Sequence, residues 1–371
     1  MHRVPPRFAL QSAAHVERAL SAPGKLFLAG EYAVLWGGQA RVAAVGPRST
    51  ALVRRRQDRE VHLLTEAGRC SGHLTPLGIN FGGPVAADFS FTARAASEVV
   101  RAHGREAVGF DLALGPSPRA PDGRKLGMGG SARACVLASE AARYVLEERL
   151  DPLKLALLAH ALTQGGKGSG ADVAAIYAGG VIRYRRYDVS ALATASAEGR
   201  LESALRQSPP VEVWRFPPLH AALSYVFTGA SASTPGLIDS VESRLQGAAR
   251  VKFVDDSDEL GAQLESGLLE RDFHAVRESC AGLQRLLGSL RLPSPEAAQR
   301  IVALASSFGG AAKISGAGGG DGCIVFSEDE QARAALLEAL AARELYALPL
   351  VVEHGLRGET TPDPALVAWM R

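Results

Sequence analysis

The sequence predicts an α+β protein built of two domains. At 371 residues the chain is long for a single hydrophobic core, since cores tend to split beyond about 250–300 residues. Strand and helix patterns are mixed, without the strand–helix rhythm of a parallel α/β sheet. Residues 191–218 are polar and proline-rich, with Ser208-Pro209-Pro210 and Phe216-Pro217-Pro218, and read as a boundary. The expected division is an extension over 1–20, an N-terminal domain over 21–207 and a C-terminal domain over 208–371.

The elements follow in order. Residues 1–20 read as a loose, polar extension, with strand character only over Val16–Leu20. Apolar runs punctuated by Gly and Pro at Lys25–Leu28, Ala33–Trp36 and Ser49–Arg54 predict strands or turns. Phe110–Leu114 is a further strand. A helix opens at Ser131, where Ala134, Val136, Leu137, Ala141 and Val145 keep the helical period. Further helices are expected over Pro152–Thr163 and Ala171–Tyr177, then a strand over Val181–Tyr187. The second half begins with a strand at Leu223–Thr228. Helical patterns cover Thr234–Gln246, Ser257–Leu268, Asp272–Leu287 and Ser294–Ser307. Ala311–Phe326 reads as strand–loop–strand, followed by a helix over Glu328–Arg343 and a strand over Ala347–Glu353.

Composition narrows the function. A net charge of +2 offers no electrostatic footprint for nucleic acid. No apolar run reaches the length of a membrane span or a signal-peptide core. Cys70, Cys135, Cys280 and Cys323 are widely spaced, which argues against a disulfide framework or zinc site and fits a reducing cytoplasm.

Four loops carry the chemistry. In Lys125-Leu-Gly-Met-Gly-Gly-Ser-Ala-Arg-Ala134, glycines at 127, 129 and 130 permit positive φ and close backbone approach. Ser131 is placed to cap the following helix, whose N-terminus is an anion site. Arg133 falls in the first turn, where a cation is disfavoured unless an anion is near. The segment is neither a Walker A loop nor a GxGxxG turn, and read alone it fits an ordinary glycine turn equally well. In Ser21–Leu35, Lys25 heads an apolar strand, and Glu31 and Tyr32 sit in a polar break that can line a cleft. In Gln164–Ala175, Asp172 begins a helix as a cap or as a carboxylate facing a substrate, with Lys167 and Ser169 just before it. The run Gly316–Gly322 is dense in glycine and suggests close approach of backbone to a ligand.

Together, APGKLFLAGEYAVL, KLGMGGSARA, QGGKGSGADVAA and KISGAGGGDG resemble, in order and spacing, the motifs of the GHMP small-molecule kinases. The resemblance implies a ribosomal-protein-S5-like N-terminal domain, a ferredoxin-like C-terminal domain and an active site between them. It implies ATP and Mg²⁺ as cofactors, a small-molecule acceptor, no nucleic-acid or membrane partner, and a cytoplasmic monomer or homodimer. Lys125, Gly127, Met128, Gly129, Gly130, Ser131 and Ala132 fall on the nucleotide loop, with Ser131 at the metal. Lys25, Lys125 and Asp172 carry the catalytic roles. Glu31, Tyr32, Lys167, Ser169, Gly170 and Arg183 are expected at the acceptor, with Gly316, Ala317 and Gly318 shaping the cleft. Arg183 and Arg185 share a strand face, so both could hold an acceptor phosphate, although a solvated face is the plainer reading.

Details such as Gly30-Glu31-Tyr32, the middle segment and Asp321 are similar to the branch that phosphorylates phosphomevalonate. Mevalonate itself is the alternative acceptor, and a non-catalytic sensor the alternative of another class. The chain departs from the family at Gly130, which replaces a serine, at Met128, and at Arg133, where small residues are common. No glutamate stands where mevalonate kinases supply one to the metal; the stretch before Asp172 offers His160 and Gln164.

Overall fold

The computed structural model describes residues 17–104, 107–229, 234–292, 295–316 and 321–371. Among these residues the larger of two sheets has nine strands. Its long members are β1 (Glu17–Ala29) and β2 (Gln39–Arg55), paired antiparallel. Beyond β2 follow β6 (Phe110–Leu114), β3 (Glu60–Thr65), β4 (Gly68–Thr75) and β5 (Gly78–Asn80). β7 (Val181–Arg185) pairs with the other half of β2, and β8 (Val213–Arg215) with β7. Most of β1 is buried without alternation, as expected of a strand covered on both faces. Helices α1 (Ser90–His103), α2 (Gly130–Val145), α3 (Pro152–Thr163) and α4 (Ala171–Ala178) pack together, with α2 and α4 lying on β1 and β2.

Two short helices follow, α5 (Ser190–Ala197) and α6 (Leu201–Gln207). They occupy the stretch read as a boundary, because Leu192, Leu201 and Leu205 give it a buried face. The smaller sheet holds β9 (Ala222–Phe227), β10 (Ala311–Ile314), β11 (Gly322–Ser327) and β12 (Ala347–Leu350), all antiparallel in the order β10-β11-β9-β12. That is the ferredoxin-like strand order. Between β9 and β10 run α7 (Thr234–Arg244), α8 (Gly247–Glu270), α9 (Phe273–Ser289) and α10 (Glu296–Ser307); α11 (Glu330–Ala341) precedes β12. No helix among the described residues is long and apolar enough to cross a membrane. All four cysteines are free thiols.

Several expectations need correction. The boundary at residue 20 moves back: residues 17–20 take the strand character expected of Val16–Leu20 and belong to β1, because Leu20 is buried between β2 and the C-terminal return. Of the two options open at Ala33–Trp36, strand or turn, the chain takes a 3-10 turn. Residues 60–103, for which the sequence predicts no element, form three strands and α1. The unit 208–371 is not separate: β8 joins the larger sheet, as does β13 (Arg357–Glu359), which pairs with β1. The final helix, α12 (Pro364–Trp369), packs against β2 and β6. One buried cluster also spans both sheets, with Leu26, Leu28 and Val45 from the larger and Tyr225, Ile324 and Phe326 from the smaller.

Candidate active site

The loop between β6 and α2 is held by alternation. Leu126 and Met128 are buried in the cluster shared by the sheets. The glycines between and after them, Gly127 (φ 71°) and Gly129 (φ 85°), take the left-handed conformation that glycine enters without steric cost. Tyr225 of β9 donates its hydroxyl to the Leu126 carbonyl at 2.6 Å. The Lys25 amide donates to the Met128 carbonyl at 3.1 Å. A bulge between Ala22 and Gly24 shifts the register of β1 just before Lys25, and bulges commonly re-aim a side chain beside an active site. The Lys25 stem then lies over Gly129, where a Cβ would come within 2.9 Å of Lys25 Cγ.

Gly129 is the N-cap of α2, and no side chain caps this end. Ser131 therefore does not cap the helix as expected. It stands in the first turn, with Oγ 3.3 Å from Nε2 of His160. The same nitrogen lies 3.7 Å from Oδ2 of Asp172. His160, on α3, is buried against Phe91 with ring centroids 5.4 Å apart. Burial pushes its pKa below the ordinary histidine value, Asp172 opposes that, and Lys25 adds to it. Asp172 sits in the first turn of α4, behind an αL N-cap at Gly170, and keeps about a fifth of its side chain exposed. Ser131, His160, Asp172 and Lys25 thus meet at the start of two helices.

They line a cleft of about 770 Å³ between the two sheets, within the roughly 300–1,000 Å³ usual for small-molecule sites. Lys125, Gly127, Gly130, Tyr32, Ser169 and Gly316 line it too. Tyr32 does so with positive φ, a strained conformation for a tyrosine. Ser131 and Asp172 offer a hydroxyl and a carboxylate on either side of one imidazole nitrogen. No group of three or more His, Cys, Asp or Glu placed to hold a metal occurs among the described residues. Such a donor pair fits magnesium, which keeps most of its ligands as phosphate and water.

Of the other expected residues, Met128 and Glu31 line the cleft, whereas Ala132, Lys167, Gly170 and Arg183 do not. The Met128 and Ala132 side chains face the core, so only their backbones can meet a nucleotide. Glu31 reaches the cleft wall, but its carboxylate accepts from Lys313 of β10, which is fully buried. Lys167 is drawn to Asp239 of α7, 2.6 Å away, rather than into the cleft. Gly170 is needed for packing: a Cβ there would meet Leu157 at 2.5 Å. Arg183 turns to Glu265 of α8 at 3.7 Å and stacks over Trp214; the neighbouring Arg41 already holds the same carboxylate at 2.9 Å. Ala317 and Gly318 lie outside the described residues.

Ser117 joins the cleft wall without any motif to announce it. Its Oγ lies 2.8 Å from the point where a Cβ on Gly130 would stand, so a hydroxyl lies beside the position where the family's serine is missing. Nothing local marks Ser117, which stands between Pro116 and Pro118 outside every motif of the sequence.

Comparison with known proteins agrees with this fold. Family models described as "GHMP kinases N terminal domain" and "GHMP kinases C terminal" match residues 90–180 and 264–347. The phosphomevalonate kinase of Streptomyces sp. (strain CL190) is 31% identical over 339 residues, 84% of this chain and 90% of that protein. Among solved structures, the Lin0012 protein of Listeria innocua superposes with a TM-score of 0.82 at 24% identity, over 93% of this chain and all of that one. The phosphomevalonate kinase of Streptococcus pneumoniae, in complex with phosphomevalonate and AMPPNP, gives 0.77 at 22% identity, over 90% of this chain and 99% of that one. With its paired motifs, two-sheet fold and glycine loop at a helix start, the chain belongs to the GHMP kinase family.

Proposed function

We propose that this protein transfers the γ-phosphoryl group of MgATP to (R)-5-phosphomevalonate, giving 5-diphosphomevalonate and ADP. The observation that carries the acceptor is the 31% identity, over most of both chains, to a phosphomevalonate kinase. The nucleotide follows from the loop at the start of α2 and from the ATP analogue in the Streptococcus pneumoniae complex.

Phosphoryl transfer depends mainly on position and charge neutralisation. The free N–H groups at the start of α2, with the helix dipole, hold the nucleotide phosphates. Ser131 and Asp172 are the residues that would hold Mg²⁺, which when bound neutralises charge on the phosphate oxygens. Lys25 makes no ion pair among the described residues, its ammonium resting 5.5 Å from the Phe27 ring centroid. It is available to the charge that builds on the transferred group. A phosphate acceptor is largely dianionic near pH 7, its second pKa being about 6, so it attacks without surrendering a proton to the enzyme. Asp172 then orients Lys25 and the metal rather than acting as a base.

A panel of mevalonate, phosphomevalonate, homoserine and galactose with MgATP, followed by ADP release, tests the assignment. Turnover of phosphomevalonate alone is expected. Preference for mevalonate would move the acceptor to an alcohol and Asp172 to a general base. Turnover of none would favour a sensor.

A further inference from the structure

The start of α2 carries a second charged group, on the face turned from Asp172. Arg133 is 3% exposed. One Nη donates to the Pro47 carbonyl at 3.2 Å, and Nε has no hydrogen-bond partner among the described residues. Burial pushes its pKa down to about 10, and no acidic group opposes that. The guanidinium is still charged at neutral pH. It therefore bears two costs, burial without a counter-ion and a place at the positive end of a helix. A bound anion would relieve both.

Its direction identifies the anion. Ser131 faces His160, and Cys135, one turn on along the same side of α2, feels Asp172. Arg133 is two residues past Ser131, so it is turned about 200° around the axis. Helical side chains lean toward the N-terminus, which brings this one back toward the loop, and Arg133 lines the cleft with Ser49, Pro116 and Ser117. The transferred phosphate must lie on the other side, between Ser131, Lys25 and Asp172.

We propose that Arg133 binds a non-transferred phosphate of the nucleotide, so that the cleft recognises the diphosphate shared by ATP and ADP. This rests on the nucleotide reading above. The test is calorimetric titration of the full chain with MgADP, with the melting temperature of the ligand-free protein alongside. Arg133→Met should raise the MgADP Kd by about tenfold or more, the scale of one lost charge-assisted hydrogen bond. Arg133→Lys should recover part of that. The KM for ATP should rise with the Kd, kcat should fall less, and the ligand-free protein should melt no lower than wild type. MgADP affinity within twofold of wild type, or lost ligand-free stability with unchanged affinity, would show a clasp on Pro47 and overturn the proposal. If Arg133→Met fails to fold, Arg133→Gln and Arg133→Lys carry the same comparison. A wild type that does not bind MgADP overturns the nucleotide assignment, and this inference with it.

Discussion

Nε2 of His160 lies 3.7 Å from the carboxylate of Asp172, and 3.3 Å from the hydroxyl of Ser131 on its other side. One buried ring thereby sets the spacing between α2, which carries the nucleotide loop, and α4, which carries the carboxylate. His160→Gln should lower kcat by up to about a hundredfold through misplacement, with a smaller change in KM. Steady-state kinetics with both substrates would show it; an unchanged kcat would make His160 a core residue only.

The same ring gives the fold a pH dependence. Its folded pKa is depressed by burial, so the unfolded chain takes up a proton there before the folded protein does. Stability should fall as pH drops below the ordinary histidine value of about 6.5. Melting temperatures from pH 8 to pH 5 should show this loss, and His160→Gln should flatten that part of the curve. Equal slopes in both proteins would place the dependence on other groups.

Glu31 and Lys313 form a buried ion pair between the segment that joins β1 to the 3-10 turn and strand β10, with side chains 3% and 0% exposed. Removing one partner strands a buried charge, at a cost of about 3–5 kcal/mol. Lys313→Met alone should lower the urea midpoint sharply, whereas Lys313→Met with Glu31→Leu should recover most of it. Additive losses would mean that the two residues do not act as a pair.

At the loop, Gly129→Ala meets both a left-handed backbone and the Lys25 stem. It should cost about 1–2 kcal/mol in stability and most of the activity. Gly130→Ser differs: φ is not positive there, and the new Cβ meets only the movable hydroxyl of Ser117. That variant should keep wild-type stability within about 0.5 kcal/mol, with an equal or lower KM for ATP. A large destabilisation would show that Ser117 cannot yield.

Lys167 and Arg183 supply a negative control. The Lys167–Asp239 pair is exposed, and such pairs contribute about 0–1 kcal/mol. Lys167→Ala and Arg183→Ala should each leave the KM for the acceptor within about twofold. A large rise in either would put that cation at the acceptor after all.

What the sequence disclosed is what local chemistry decides. Pro152–Thr163 could be placed because Asp151 caps the helix and Pro152 suits its first turn. The loop 125–134 was legible because its glycines bunch together. Alternation put Arg183 on one strand face but could not say that the face meets Glu265 of α8. His160 carries no motif of its own, since its partners come from helices packed against α3. β13 is only three residues long, and its pairing with β1 leaves no periodic trace.

Chain direction at the base of the smaller sheet has a further consequence. Phe216 donates its amide to the Val181 carbonyl as the chain departs, and Gly180 donates to the Glu353 carbonyl where the chain comes back. Two adjacent residues therefore clamp both ends of everything between, and the smaller unit is a graft inserted into the larger one. A short linker could replace it without stretching a covalent bond. The excision would nonetheless fail as a protein, because Leu26, Leu28 and Val45 would be left facing water in place of Tyr225, Ile324 and Phe326. The graft has grown into its stock: the two parts can be separated as chain, but not as core.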